Sequence, residues 1–528
     1  MKRIKSIIQT TLILIAIYST CLTQAQVPDP ELGLRAEWMR GTYGLNWKPA
    51  KSANGRSELE SLTIKPFLEQ ISGLRTVDYI QLHLGESFIY SPVHLGPHEL
   101  LESLWQGDKD ENGNPINLVV PRASIGRDPF MDLIDDVRAA GMKVQVYVNT
   151  GNMLRFWRGY PKGRRMSPPD DLPDVTERWI NWCDTNPEAQ SFINSQSYHT
   201  HPDFPERQYI FCYAEFVLKE YAIRYGEKID AWLFDNAKVW RFWNGDSLAA
   251  ELDYQRIFQS WADACHAGNP DAALAFSNGP GSGNLVDNPF SNATLFCDYM
   301  FGHPFAAGKN LGDHPANKFS LTWMADRDGY VHTNDPNQSR TWDDKVVGHF
   351  DPPMSTSAWN KGVNPALTNE QFLEWYSLGI LGGGAMTPGI PLLDRDGWES
   401  LIMEDWAMEQ ISLLDSFLIK NQVPGSPNWA RQETILPDAY LGKDYYFALI
   451  EDRDFWDPEG DAIISLKVVA GDAHPSWLSI GESGSQPGTW ILSGTPGETE
   501  AADYSFRIRV EDASGGTDRE VTLKVLNQ

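Results

Sequence analysis

Asp235 closes the apolar run Ile229–Asp235, which follows a helix-like segment (Glu206–Arg224) and a stop at Gly226. A carboxylate set at the end of a rigid strand is held in one geometry, as a covalent nucleophile requires. The bland alternative is an Asp that caps the next turn. Three groups downstream have the chemistry of a proton donor. These are Asp298 in Cys297-Asp-Tyr299, His303 in Tyr299-Met-Phe-Gly-His-Pro-Phe305, and Asp326 in Trp323-Met-Ala-Asp-Arg-Asp328. A histidine near its ordinary pKa gives and takes protons readily at neutral pH. A nucleophile and an acid flanking one bond meet the needs of glycoside hydrolysis with retention, where the pair stands about 5–5.5 Å apart; a spacing of roughly 6.5–9.5 Å points to inversion. Asp235 is the expected nucleophile. His303 ranks first as acid/base, ahead of Asp326 and Asp298. Each has a competing reading: a packed or substrate-binding histidine, an acid neutralised by Arg327, and a buried structural acid.

Polar and aromatic residues near other expected strand ends suit the binding of sugar hydroxyls and ring faces. They are Glu37, Trp38, His83, Glu86, Asn149, Asn236, Asn278 and Trp323. Each alone also reads as a turn or cap residue. Arg155-Phe-Trp157-Arg158-Gly-Tyr-Pro-Lys-Gly-Arg-Arg165 interleaves five cations with aromatics in a chain of net charge −27. Arginine grips oxyanions in bidentate fashion, so Arg155 and Arg158, with Trp157 between them, fit a sulfated or carboxylated sugar. An exposed loop paired with Asp170 and Asp171 fits equally well.

These residues need a scaffold that brings strand ends together. From residue 34 to about 418, short apolar runs alternate with helix-period runs, the pattern of an α/β fold with a parallel sheet. The expected strands are Leu34–Met39, Val77–Leu84, Lys143–Asn149, Ile229–Asp235, Ala273–Asn278, Thr294–Tyr299, Phe319–Met324 and Leu378–Met386. Glu58–Leu74 and Pro129–Ala140 are the clearest helices between them, the second stopped by Gly141. Eight such units with right-handed crossovers close into a (β/α)8 TIM-type barrel, whose active sites lie at the C-terminal strand ends. Long loops at 85–127, 150–205 and 325–367 would wall a cleft on that face.

After Val423-Pro-Gly-Ser-Pro427 the pattern changes to alternating strand runs such as Tyr504–Val510 and Glu520–Val525. They predict a small all-β sandwich. The division is a signal peptide at 1–25, a catalytic barrel at 26–422, a linker at 423–433 and an Ig/cadherin-like β-sandwich at 434–528. Lys2, Arg3 and Lys5 precede the apolar Ile7–Ile17 and a cleavage site at Thr23-Gln-Ala25, the order of a secretion signal. Cys21 sits in poor company for lipidation, and no later segment is long and apolar enough to span a membrane. The acidic balance argues against nucleic acid as partner. The remaining cysteines, Cys183, Cys212, Cys265 and Cys297, lack zinc spacing, so no metal or other cofactor is expected in the barrel. Buried thiols and disulfides both fit them.

Within the last ninety or so residues, Asp457-Pro-Glu-Gly-Asp461, Pro475-Ser-Trp-Leu478, Leu492-Ser-Gly-Thr-Pro496 and Val510-Glu-Asp512 resemble cadherin-like and Ig-like modules. Acids in such turns are hard oxygen ligands that would suit Ca2+; solvated turn residues are the alternative. Over residues 34–418 the chain resembles the α-L-fucosidases of glycoside hydrolase family 29 and the related endo-acting fucanases. The resemblance rests on Tyr225-Gly with Ile229-Asp-Ala-Trp-Leu-Phe-Asp235, on Gly141-Met-Lys-Val-Gln-Val-Tyr147, and on Gly382-Gly-Gly-Ala-Met-Thr-Pro-Gly389 followed by Asp394-Arg-Asp-Gly397. It implies that Asp235 is the nucleophile. The fucosidase histidine motif after strand two is replaced by Leu82-His-Leu-Gly-Glu86, and strand one reads Trp38-Met-Arg-Gly-Thr-Tyr43. These departures argue against a simple exo-acting α-L-fucosidase, and the endo-acting relatives imply an acid/base role for His303. The expected function is a secreted, retaining glycoside hydrolase of the α-L-fucosidase/endo-fucanase kind, with a fucose-containing polysaccharide as substrate. A non-catalytic polysaccharide-binding barrel is the alternative, and an adhesion protein dominated by its β-module a third reading.

Overall fold

In Val77-Asp-Tyr-Ile-Gln-Leu-His-Leu84 and in Lys143-Val-Gln-Val-Tyr-Val-Asn149, aliphatic residues recur at every second position. In a strand those residues share one face and the polar ones share the other. A computed structural model shows both segments as strands. It describes residues 33–49, 60–88, 91–104, 120–150, 175–201, 207–235, 237, 248–276, 296–300, 346–356, 362, 364–393, 401–421, 427–429, 434–451, 454–457, 462–497, 500–513 and 515–527.

Seven parallel strands form one sheet: β1 (Tyr43–Trp47), β2 (Val77–Phe88), β4 (Lys143–Asn149), β5 (Ala231–Asp235), β6 (Ala273–Phe276), β7 (His349–Phe350) and β8 (Ala385–Met386). Their order is β6-β5-β4-β2-β1-β8-β7, and β3 (Ser91–His94) pairs antiparallel with β2. The sheet curls. Its convex face carries Ile80, Leu82, Val144, Val146, Trp232 and Phe234 in the large core shared with the helices. Its concave face carries Ala231, Ala273, Ala275 and Ala385 beside Tyr79, Tyr147 and Tyr299. The alanines leave the space that the tyrosines cross. Gly44 is required for the same reason, since a Cβ there would lie 2.3 Å from the Tyr79 ring. Asp298 N–H donates to Leu274 O in β6, and Val347 N–H donates to Asp298 O just ahead of β7. Residues 298–300 therefore touch both outer strands of the curled sheet.

Several boundaries differ from expectation for local reasons. Leu34–Met39 is a 3-10 helix that starts after Gly33 at φ 81°, and the first strand is β1 instead. Its buried residues, Ala36 and Met39, recur at a spacing of three, which is helical. The expected strand Leu378–Met386 begins with the last four residues of helix Asn369–Leu381, which opens with a Thr368/Gln371 capping box; only Ala385–Met386 is strand. The helix expected at Glu58–Leu74 is broken at 61–64 and continues as Lys65–Gln70, with Pro66 in its first turn. The segment 150–205, expected as loop, contains helices Val175–Thr185 and Pro187–Ser195; the Asn186 side chain caps the second. The π-helical turn Ala214–Leu218 interrupts the long helix that precedes β5. Of Thr294–Tyr299, the described part forms a single bridge, Tyr299 to Val347. Phe319–Met324 lies outside the described residues.

The C-terminal region is a β-sandwich. One sheet joins Ser465–Val468, Asp503–Glu511, Gly516–Leu526 and Thr434–Ile435; the other joins Tyr445–Ile450, Thr489–Gly494 and Ser479–Glu482. Alternate residues Phe506, Ile508, Val510 and Val521, Leu523, Val525 meet Leu449, Trp490 and Leu492 in a separate core.

Candidate active site

Parallel register places Asn149 beside Asp235 at the C-terminal ends of β4 and β5. The Tyr147 hydroxyl donates to Asp235 Oδ2 at 2.8 Å, and the Asn149 amide reaches the same oxygen at 3.4 Å. Asn149 Nδ2 also donates to the Tyr147 oxygen at 3.2 Å. Thr150 fastens the main chain by donating to Asp235 O at 2.7 Å. Two side chains from the neighbouring strand thus aim one carboxylate with neutral donors, and Asp235 itself stays half-buried.

The wall continues onto β2 and β1. The His83 ring stacks on Tyr147, with centroids 4.1 Å apart and planes at 29°. His83 Nε2 lies 2.8 Å from Asn46 Oδ1, and Asn46 Nδ2 donates to Asp351 Oδ1 at 3.4 Å. Asp351 follows β7 and is 2% exposed. Burial raises its pKa to about 7, and the negative charge of Asp235 adds to the rise; amide hydrogen bonds from Asn46 and Gln81 and the charge of Lys48 oppose it. Deeper in the concave face, the His349 ring faces Met300 O through Nδ1 at 3.1 Å and Thr387 Oγ1 through Nε2 at 2.6 Å. A carbonyl only accepts, so Nδ1 carries the proton and Nε2 accepts from Thr387. The Tyr79 hydroxyl, 2.6 Å from Thr387 Oγ1, then donates to it. Burial lowers the pKa of His349 to about 3, so the ring is neutral.

Asp235, Asn149 and His83 are brought together at one end of the sheet. Asp298 is not with them. Its carboxylate accepts from Gly33 N at 2.8 Å and Leu274 N at 3.0 Å and lies 3.7 Å from Arg35, all at the N-terminal end of β6. Fully paired and 1% exposed, it fills a structural role far from Asp235. Glu37 and Trp38 are also at that end, because their segment is a helix plugging the bottom of the sheet. Trp38 packs edge-on to Tyr79 at 5.5 Å under Lys143 Nζ at 5.1 Å, and Glu37 pairs with Arg40 at 3.5 Å. Glu86 belongs to β2, with its side chain outside the described set. His303, Asp326, Trp323, Arg155, Trp157, Arg158, Asn236 and Asn278 lie outside the described residues.

Tyr147, Asn46 and Asp351 were not among the residues singled out from sequence. Tyr147 carried a signal, since it alternates with buried valines and shares a face with Asn149. Asp351 carried none, because β7 is two residues long. All four distal cysteines are buried thiols. Among the described residues there is no group of three or more His, Cys, Asp or Glu that could hold a metal ion, and no helix long and apolar enough to cross a membrane.

A half-buried carboxylate at a parallel strand end, aimed by a tyrosine and lined by His and Asn, fits the class of glycoside hydrolases built on α/β sheets. The chain belongs to glycoside hydrolase family 107. It is 48% identical to the endo-fucoidan hydrolase MfFcnA4 of that family, over 95% of this chain and 69% of the other, with a TM-score of 0.83. It is 47% identical to the endo-fucoidan hydrolase MfFcnA9 over 94% of this chain and 82% of the other, again at a TM-score of 0.83. Of the two groups the sequence resembles, the endo-acting one is thus shown, and family 29 is not. Residues 433–526 match the family model described as "Putative Ig domain". Among curated proteins none matches the chain.

Proposed function

We propose that this protein is a secreted, endo-acting fucoidan hydrolase that retains anomeric configuration. The observation that carries the reading is Asp235 aimed by Tyr147 at the end of β5, in a chain nearly half identical to endo-fucoidan hydrolases along almost its whole length. In this reading Asp235 Oδ attacks the anomeric carbon while an acid protonates the departing glycosidic oxygen. The glycosyl–Asp235 ester is then hydrolysed by a water that gives its proton back to the same acid/base. His303 is the proposed acid/base, with Asp326 as the alternative. Tyr147 and Asn149 orient Asp235 without cancelling its charge. His83 binds hydroxyls of the sugar beside it, and the cationic loop with Arg155, Trp157 and Arg158 receives sulfate groups of the polymer. The hydrogen bonds that link residues 298–300 to both edges of the sheet support closure into a (β/α)8 barrel. The N-terminal residues 1–25 act as a cleaved export signal, and the turn acids of the β-sandwich are proposed ligands for Ca2+.

The test is digestion of fucoidan by the wild type and by Asp235→Asn, with products sized and the first-formed anomer read by proton NMR. Oligosaccharides of retained configuration from the wild type alone support the reading. Monosaccharide release, an inverted first product, or equal activity of the variant would overturn it.

A further inference from the structure

Asp351 is a buried carboxylate for which the reaction above has no use. Hydrogen bonds and a ring contact nevertheless join it to Asp235. Asp351 Oδ1 accepts from Asn46 Nδ2 at 3.4 Å, and Asn46 Oδ1 lies 2.8 Å from His83 Nε2. The His83 ring lies on Tyr147, and Tyr147 donates to Asp235 at 2.8 Å. The chain of contacts runs across the sheet from the end of β7 through β1, β2 and β4 to β5. An amide has a donor end and an acceptor end. With its donor end held by Asp351, Asn46 turns its oxygen towards His83 Nε2 at 2.8 Å, and this short contact places the His83 proton on Nε2; the Gln81 amide nitrogen, 3.5 Å from the same ring atom, is itself turned to Asp351. Without the carboxyl group the amide can rotate, present its NH2 to the ring and require the opposite tautomer.

We propose that Asp351 is a positioning residue that orients the Asn46 amide and thereby sets the tautomer and direction of the His83 ring beside Asp235. The inference rests on the reading of this end of the sheet as the sugar-binding site. Burial keeps water from competing for the Asn46 amide, so one carboxyl oxygen suffices to bias it. A polysaccharide hydroxyl arriving at His83 then meets a prearranged ring.

The experiment compares the wild type with Asp351→Leu, Asp351→Asn and Asn46→Ala. Two readouts are used: steady-state kinetics on fucoidan, and nitrogen NMR of histidine-labelled protein, with the His83 signals assigned by His83→Gln. Asp351→Leu should raise KM about tenfold with kcat changed by less than about threefold, the pattern of lost positioning before the chemical step. Its His83 Nε2 signal should move from the protonated towards the unprotonated range. Asp351→Asn keeps an acceptor oxygen and should restore both values. Wild-type KM and an unmoved His83 signal in Asp351→Leu would overturn the proposal. If Asp351→Leu fails to fold, the His83 signal of Asn46→Ala decides in its place: a move of Nε2 towards the unprotonated range supports the control of the ring by the Asn46 amide, and an unmoved signal overturns it. A wild type inert on fucoidan would remove the functional reading alone, because the His83 signal still tests the link from Asp351.

Discussion

Two pairs of aspartates sit at opposite ends of the same sheet and differ in what holds them. At the N-terminal end, Asp230 takes Arg138 at 2.8 Å, Lys143 at 3.2 Å and the Val144 N–H at 2.8 Å. Asp298 takes two backbone N–H groups and lies beside Arg35. At the C-terminal end, Asp235 accepts from the Tyr147 hydroxyl and the Asn149 amide, and Asp351 from the amides of Asn46 and Gln81. Cations cancel a carboxylate's charge and commit it to stability. Neutral donors orient it and leave the charge for a reacting carbon. Strand ends, and not residue type, separate the two roles.

Exchanging the roles is the strongest way to break this comparison. Asp235→Asn should lower fucoidan cleavage by at least about 10³-fold, since the nucleophile itself is lost, while the melting temperature stays within a few degrees. Asp298→Asn should do the reverse: activity per folded molecule persists, and urea unfolding shows a loss of about 3 kcal/mol, the range for breaking a buried charged contact. A large activity loss with unchanged stability in Asp298→Asn would erase the distinction between the two ends.

A pH series sharpens it further. Burial lowers the pKa values of His94, His98 and His349 to about 3. Their stabilising contribution is therefore present above the unfolded value near 6.5 and is lost as pH falls towards 3. At pH 5 each group should cost about 2 kcal/mol relative to pH 7. Asp351 has the opposite sign. Its pKa is raised to about 7, so the stability it contributes is present at low pH and is lost as pH rises through 7. Three histidines outweigh one acid, and net stability should fall on acidification. Denaturant midpoints at pH 7 and pH 5 check this, and His349→Gln should shrink the difference by about half, because Asp351 offsets part of the histidine total. The smallest expected effect is that of Tyr147→Phe. Removing one oriented hydrogen bond to Asp235 should lower kcat about tenfold with little change in stability. An unaltered kcat would mean that Tyr147 packs against His83 without aiming the carboxylate.

Legibility followed the range of the interactions involved. Asp235, Asn149 and His83 could be found because they end or line long apolar runs whose alternation is local. Asp298 looked equivalent on paper, as an acid after an apolar run, and only its pairing with Gly33 and Leu274 reveals the wrong end of the sheet. Leu34–Met39 misled because Leu34, Ala36 and Trp38 alternate with Arg35 and Glu37 as in a strand, while Ala36 and Met39 are spaced as in a helix, and its neighbours in space decide between them. Strand β7, at two residues, carries no periodicity at all.

Sequence alone determined the α/β character of the first four hundred residues, the β-sandwich after them and the carboxylate at the end of β5. These follow from short-range rules: side-chain alternation and the glycine stops at Gly141 and Gly226. Tertiary structure decided which polar residues share a site. Asn46, His83, Tyr147, Asp235 and Asp351 are separated by tens to more than a hundred positions along the chain, and only the curl of the sheet brings them together. Burial, set by that same curl, then gives one aspartate a pKa of about 7 and leaves another aimed by neutral donors.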